Sequence, residues 1–82
     1  MIRPVGSSPE TVFWPGERIE CHRYNAKEGP AFVRGTVEGY YPSEYADPCV
    51  SVIYDHDGTW HMDPIYVVRK LSLLELIAEA AK

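Results

Sequence analysis

The chain has 82 residues, of which 45% are hydrophobic, 12% aromatic and 24% charged, and its formal net charge is −4. A chain of this length forms one domain. So small a domain buries only about 60% of the surface of its unfolded chain, which leaves little room for a deep active-site cleft. The acidic charge argues against a basic, phosphate-binding surface and so disfavours nucleic acid as a partner.

Residues 1–15 are predicted to form an extended N-terminal arm. Pro4, Pro9 and Pro15 disfavour a helix or a central strand in this segment. Within the arm, the apolar group Val12–Trp14 is expected either to fold back over an open end of the domain or to dock a partner.

The sequence shows neither a signal-peptide core near its start nor a membrane-spanning run. We therefore expect a cytoplasmic protein that does not contact a membrane. In that compartment Cys21 and Cys49 are expected to be reduced, buried thiols and not a disulfide.

Alternating apolar and polar residues predict two strands after residue 16. The first is Arg18–Tyr24, and the loop 25–30 reverses the chain into the second, which runs from Ala31 to about Tyr40. Gly35 in mid-strand predicts a bend or a close approach of another backbone segment. The residues predicted to point inward are Ile19, Cys21, Val33, Gly35 and Val37.

A β-hairpin is predicted between Cys49 and Met62, after a connection at residues 41–48. A type I turn with a left-handed Gly58 would place Tyr54 opposite Trp60. In that register Tyr54 and Trp60 are expected to be core residues, and the apolar side chains all lie on one face. They are Val50, Val52, Tyr54, Trp60 and Met62.

The chain is predicted to end in a short strand, Ile65–Lys70, and a helix over residues 72–82. Ser72 and Glu75 have the spacing of a capping box, and Leu71 and Leu76 have that of a hydrophobic staple. The helical stripe is expected to pack on the domain's open end or on another copy of the chain. Its members are Leu73, Leu76, Ile77 and Ala80.

Four segments carry a likeness to known proteins: Gly16–Cys21, Phe32–Val37, Val52–Gly58 and Val67–Leu71. Across residues 16–71 this pattern resembles the Tudor and agenet-like members of the Src-homology-3-like barrel superfold. The resemblance implies a mainly β, five-stranded small barrel, flanked here by the N-terminal arm and the C-terminal helix. It also implies binding of a peptide or a methylated side chain, and not catalysis.

The resemblance further implies an aromatic cage with acidic neighbours, which would attract a cation. By position, its residues are Tyr24, Phe32, Tyr54 and Trp60, with Asp55 and Asp57. Separately, the connection holds Tyr40, Tyr41 and Tyr45, which are expected either to form a recognition patch with Glu44 and Asp47 or to cover the barrel mouth.

No catalytic or phosphate-binding motif is present, and the Cys and His residues lack zinc-site spacing. His61 is expected opposite Ile53 on the outer face, away from His56 in the turn. We therefore predict no metal, cofactor or catalytic residue, and a non-enzymatic adaptor that binds a protein or peptide with a basic surface. The alternatives are a structural subunit that homo-oligomerises through the helix or the arm, and a nucleic-acid-binding small barrel.

Overall fold

The computed structural model describes residues 12–23, 31–42 and 47–81. They form a five-stranded antiparallel sheet and one C-terminal α-helix, which confirms the predicted mainly β class. The strand order across the sheet is β4-β3-β2-β1-β5. The elements are β1 (Arg18–His22), β2 (Phe32–Tyr41), β3 (Cys49–Tyr54), β4 (Trp60–Pro64), a 3-10 helix (Ile65–Val67), β5 (Val68–Lys70) and α1 (Leu73–Ala80). The last predicted strand is therefore shorter than expected, because its first three residues form the 3-10 helix.

The sheet is strongly curved. β4 and β5 are its two edges, yet only Ile65–Val67 separates them in the chain. In a flat sheet of five strands the edges would be about 19 Å apart, whereas the chain from Pro64 to Val68 can span only about 14 Å. The two edges are not paired with each other in the sheet that the described residues form, so the sheet is curved but open.

The concave, inner face of the sheet carries the core. Of the apolar group in the arm, Phe13 is also buried there, as folding back predicts, while Trp14 is exposed. The Lys70 ammonium lies 4.8 Å from the centre of the Phe13 ring and pairs with Glu17, which anchors this segment beside β5. Residues 1–11 of the predicted arm lie outside the described residues. The core cluster comprises Phe13, Ile19, Cys21, Val33, Val37, Val50, Val52 and Tyr54.

Gly35 lies at a close approach of two strands, as predicted. A methyl group at this position would lie 2.6 Å from the Ile53 carbonyl oxygen and 2.6 Å from Cγ1 of Val52. Both distances are shorter than any van der Waals contact, so a larger residue requires movement of the β3 backbone.

We expect Gly35→Ala to lower the free energy of unfolding by about 1–3 kcal/mol, since the inserted methyl group overpacks the core. Urea unfolding measures this loss. Gly39→Ala is the matched control: its methyl group would meet the hydroxyl oxygens of Tyr41 and Ser51 at 3.2 and 3.3 Å, and these side chains can move. Equal losses for the two variants would contradict the close approach.

The β3–β4 hairpin forms, but its predicted register is wrong by one residue. Tyr54 N–H donates to the Thr59 carbonyl at 2.9 Å, so four residues, and not three, form the loop. Trp60 therefore pairs with Ile53, and His61 with Val52. Because successive side chains of a strand alternate in direction, the shift turns Trp60 and Met62 to the outer face and His61 and Asp63 to the inner face. The left-handed Gly58 is confirmed, with φ of 70°.

α1 begins as predicted, with Ser72 as its N-cap and a complete capping box with Glu75. All eight residues of the helix are described, and none is buried. The helix docks on the outer face of β1, β2 and β5 by ion pairs. Glu75 pairs with Arg34 and Arg69, and Glu79 with Arg18 and Arg34.

The predicted apolar stripe of α1 does not cover the open end of the sheet. Leu73 and Ile77 are 72% and 56% exposed. Since the two glutamates face the sheet, the apolar side of the helix points away from it. Leu73 and Ile77 are therefore exposed in the described part of the chain, and the packing of the stripe on another copy stays a prediction.

We expect α1 to lose its docking in acid before the sheet unfolds. The guanidinium groups of Arg69 and Arg18 lower the pKa of Glu75 and Glu79 respectively. The ion pairs thus contribute stability above the unfolded glutamate pKa of about 4.3, and this stability is lost as the pH falls through the lowered values. Hydrogen exchange of α1 amides, compared with β2 amides across pH, measures the effect.

The same experiment on Glu79→Gln should show faster exchange in α1 at neutral pH. Glu38→Gln is the control, because Glu38 is an exposed carboxylate of the same sheet that takes no part in the ion pairs holding α1. Loss of protection in α1 and β2 at one common pH would contradict this mode of docking.

Candidate functional site

The described members of the predicted aromatic cage are not brought together. Tyr54 is 4% exposed on the inner face, which confirms it as a core residue. Phe32 and Trp60 are exposed on the outer face, so the core assignment of Trp60 is wrong. They are also far apart, because Trp60 is level with Thr36, four residues or about 13 Å along β2 from Phe32. Tyr24 lies outside the described residues.

The two predicted acidic residues have partners on β1 and within the hairpin. Asp55 forms a bidentate ion pair with Arg18. Asp57 accepts hydrogen bonds from the Thr59 hydroxyl at 2.6 Å and the Thr59 N–H at 3.0 Å, which lower the pKa of Asp57. Both carboxylates are thus held in place at the tip of the hairpin.

Tyr40 and Tyr41 are consecutive residues of β2 and lie on opposite faces, and the bulge between Val37 and Gly39 turns Tyr40 to the inner face. Tyr40 packs against the core, with its ring centre 6.2 Å from that of Phe13. Tyr41 lies on the outer face and is 49% exposed. The structure thus separates the two tyrosines, and a role of Tyr41 in recognition stays a prediction. Tyr45, with Glu44, lies outside the described residues.

Four large side chains form an exposed apolar surface on the outer face of β2, β3 and β4, which we name the outer patch. Their exposed fractions lie between 36% and 50%. Trp60 and Ile53 are direct cross-strand partners, and Met62 pairs with Ser51 on the same face. The outer patch consists of Tyr41, Ile53, Trp60 and Met62.

Gly39 allows Tyr41 to complete the outer patch. A methyl group at Gly39 would lie 3.2 Å from the Tyr41 hydroxyl oxygen and 3.3 Å from that of Ser51, so the Tyr41 ring lies across Gly39 beside Ser51. Ser51 is fully buried although it belongs to the outer face. It is therefore covered from the side of Tyr41 and Met62, and the patch is continuous from one end to the other.

The outer patch has the composition of a protein contact surface. Trp, Tyr and Met are enriched at interface centres, and Trp and Tyr are the residues that most often dominate binding energy there. The four patch residues carry no charge, but the exposed Glu38 lies at the β2 bulge between Val37 and Gly39, and the exposed Asp55 follows the last residue of β3.

Of the outer patch, the sequence identified Tyr41 and Trp60 as contact candidates and missed Ile53 and Met62. Met62 was placed in the core by the wrong hairpin register. The length of the turn is the signal that would have found it, because a loop of four residues reverses which side of β4 faces the core.

A polar cluster occupies the inner face at the open end of the sheet. The His61 ring stacks on the Tyr54 ring with centres 4.0 Å apart. Asp63 accepts hydrogen bonds from the Tyr54 hydroxyl at 2.9 Å and from the Cys21 thiol at 3.6 Å. The expectation that His61 faces outward is therefore wrong. The cluster borders an open cleft of about 360 Å³, which Arg23 and Tyr66 also line.

The Cys21 thiol and the Tyr54 hydroxyl of this cluster both have a raised pKa. Burial and the neighbouring Asp63 carboxylate raise the pKa of the Cys21 thiol to about 12, and the same causes raise the pKa of Tyr54. Since the thiolate is the reactive form of cysteine, Cys21 is a poor nucleophile at neutral pH. Its role here is that of a buried hydrogen-bond donor.

Within residues 12–23, 31–42 and 47–81, no three His, Cys, Asp or Glu side chains lie close enough together to hold a metal ion. In the same part of the chain both cysteines are free thiols, and α1 is too short to cross a membrane. No family model, curated protein or solved structure matches this chain.

Proposed function

We propose that this chain is a non-enzymatic binding module that docks a protein partner on the outer patch. The observation that carries the proposal is the continuous exposure of Tyr41, Ile53, Trp60 and Met62 on one face. Monomeric proteins seldom expose several large apolar side chains side by side unless another surface covers them.

We further propose that the sheet is a Tudor-like or agenet-like variant of the Src-homology-3-like barrel. This is supported by the continuous antiparallel order of the strands and by the short 3-10 helix that carries the chain from one sheet edge to the other. In this variant the aromatic contact surface lies on the outside of the sheet, and the position expected for a cage is taken by the stacked pair Tyr54 and His61.

The net charge of −4 and the exposed Glu38 carboxylate favour a partner whose contact surface is apolar at its centre and basic at its rim. Because the same negative charge disfavours contact with phosphate groups, nucleic acid is the weaker alternative as a partner. Salt-dependent binding to an oligonucleotide would support that alternative. A basic partner should likewise be released as the salt concentration rises.

We expect both Trp60→Ala and Met62→Ala to reduce partner binding. For Trp60→Ala the reduction should be about tenfold or more, because truncation of a central aromatic residue typically costs about 1–2 kcal/mol or more. The measurement is affinity capture of cellular proteins on the immobilised full chain, with quantification of each captured protein by mass spectrometry. Both positions are exposed, so the variants should keep the stability of the native chain.

Tyr66→Ala is the matched control, since Tyr66 is 66% exposed but lies on the 3-10 helix and not in the outer patch. A protein that is captured by the native chain and the Tyr66 variant, but lost with the Trp60 variant, would support the proposal. If all three chains capture the same proteins in equal amounts, the outer patch is not the contact surface.

A further inference from the structure

The outward side of α1 is a second exposed apolar surface on this small domain. Leu73, Leu74 and Ile77 are between 56% and 78% exposed. The only charged residues of the helix, Glu75 and Glu79, both pair with arginines of the underlying sheet. The side of α1 that faces away from the sheet therefore carries apolar groups and no charge.

α1 and the outer patch lie side by side on the same face of the sheet. Arg18, which holds Glu79, belongs to the row of cross-strand neighbours that continues through Thr36 and Ile53 to Trp60. Within one chain the helix cannot cover the patch, because Arg18 and Arg34 hold it over β1 and β2 and its apolar side points away. Among the described residues, no other segment covers either surface.

We propose that the outer patch binds the apolar side of α1 from a second copy of this chain. The inference rests on the proposed function of the outer patch as a protein-binding surface, and it names a second copy, and not a protein with a basic rim, as the occupant. Because helix and patch are neighbours on one face, a two-fold axis between them places each helix on the partner's patch at the same time. Such a reciprocal contact is the usual geometry of a symmetric dimer.

The area available matches what a stable dimer needs. The exposed parts of the four patch residues and of the three α1 residues together provide on the order of 700 Å² per chain, close to the ~800 Å² per partner of a standard interface. Either surface alone provides about half of that area, which is typical of weak contacts. Only an occupant that uses both surfaces at once reaches the required size.

The charges agree with this occupant. The helix side of the contact carries no charge, since the carboxylates of α1 stay on their own sheet. Two copies with a net charge of −4 each repel one another at long range, and salt screens that repulsion over distances beyond about 8–10 Å. Dimerisation should therefore strengthen as salt rises from low to physiological concentration, whereas a contact with a basic partner should weaken.

Sedimentation velocity of the full chain, from low micromolar to near millimolar concentration, tests the proposal with the variants Trp60→Lys and Ile77→Glu. The native chain should dimerise, and each variant should raise the dissociation constant by about tenfold or more. An equimolar mixture of the two variants should associate more tightly than either variant alone. In the mixed dimer one contact between α1 and the outer patch is native, and in the other contact the introduced lysine faces the introduced glutamate. Tyr66→Lys is the control and should dimerise like the native chain.

A native chain that stays monomeric at every concentration would overturn the proposal. So would dimerisation that responds to Ile77→Glu but not to Trp60→Lys, since that result means helix-to-helix contact, and so would a mixture no tighter than its components. If the chain is monomeric while Trp60→Ala still abolishes capture of another protein, the second copy is wrong as the partner and the outer patch remains the binding surface.

Discussion

The register of the β3–β4 hairpin is the constraint on which the rest of the molecule depends. The loop has four residues because Tyr54 pairs with Thr59, and Asp57 fixes Thr59 through two hydrogen bonds. A slip of one residue would exchange the two faces of β4. The observed register places the largest side chain of the strand, Trp60, in solvent, and places Asp63 where it accepts hydrogen bonds from two core residues. Both the inner cluster and the outer patch are consequences of this one pairing.

The docking of α1 reverses the usual arrangement of an amphipathic helix, which packs its apolar side on the body of the protein. Here the sheet face under the helix presents Arg18, Arg34 and Arg69, so the complementary side of the helix is the one that carries its glutamates. Such partly exposed ion pairs contribute little stability each and are screened by salt. The helix is therefore the element held least tightly to the sheet, while its apolar side is left for contacts with other molecules.

The sequence was sufficient to predict features that depend on local patterns. Alternation identified the inward positions of β1 and β2, the spacing of Ser72 and Glu75 identified the helix start, and Gly35 identified the close approach. Features that depend on pairing between distant segments were not predictable in this way. The hairpin register depends on a difference of one residue in loop length. The side of α1 that faces the sheet is determined by arginines on three strands, which local periodicity does not connect.

The same local reasoning failed at Trp60 for a physical reason. It assumed that a strand buries its apolar side, but β4 is an edge strand, and none of its residues is fully buried on either face. The burial that Trp60 and Met62 would gain in the alternative register competes with the hydrogen bonds of Asp63 and the stacking of His61 on Tyr54. Because the native register leaves 36–50% of each outer-patch residue exposed, the hydrophobic free energy of that exposed area, at about 25 cal/mol per Å², is not used in folding. That free energy is available for association, and any partner that occupies the outer patch also stabilises this register by mass action.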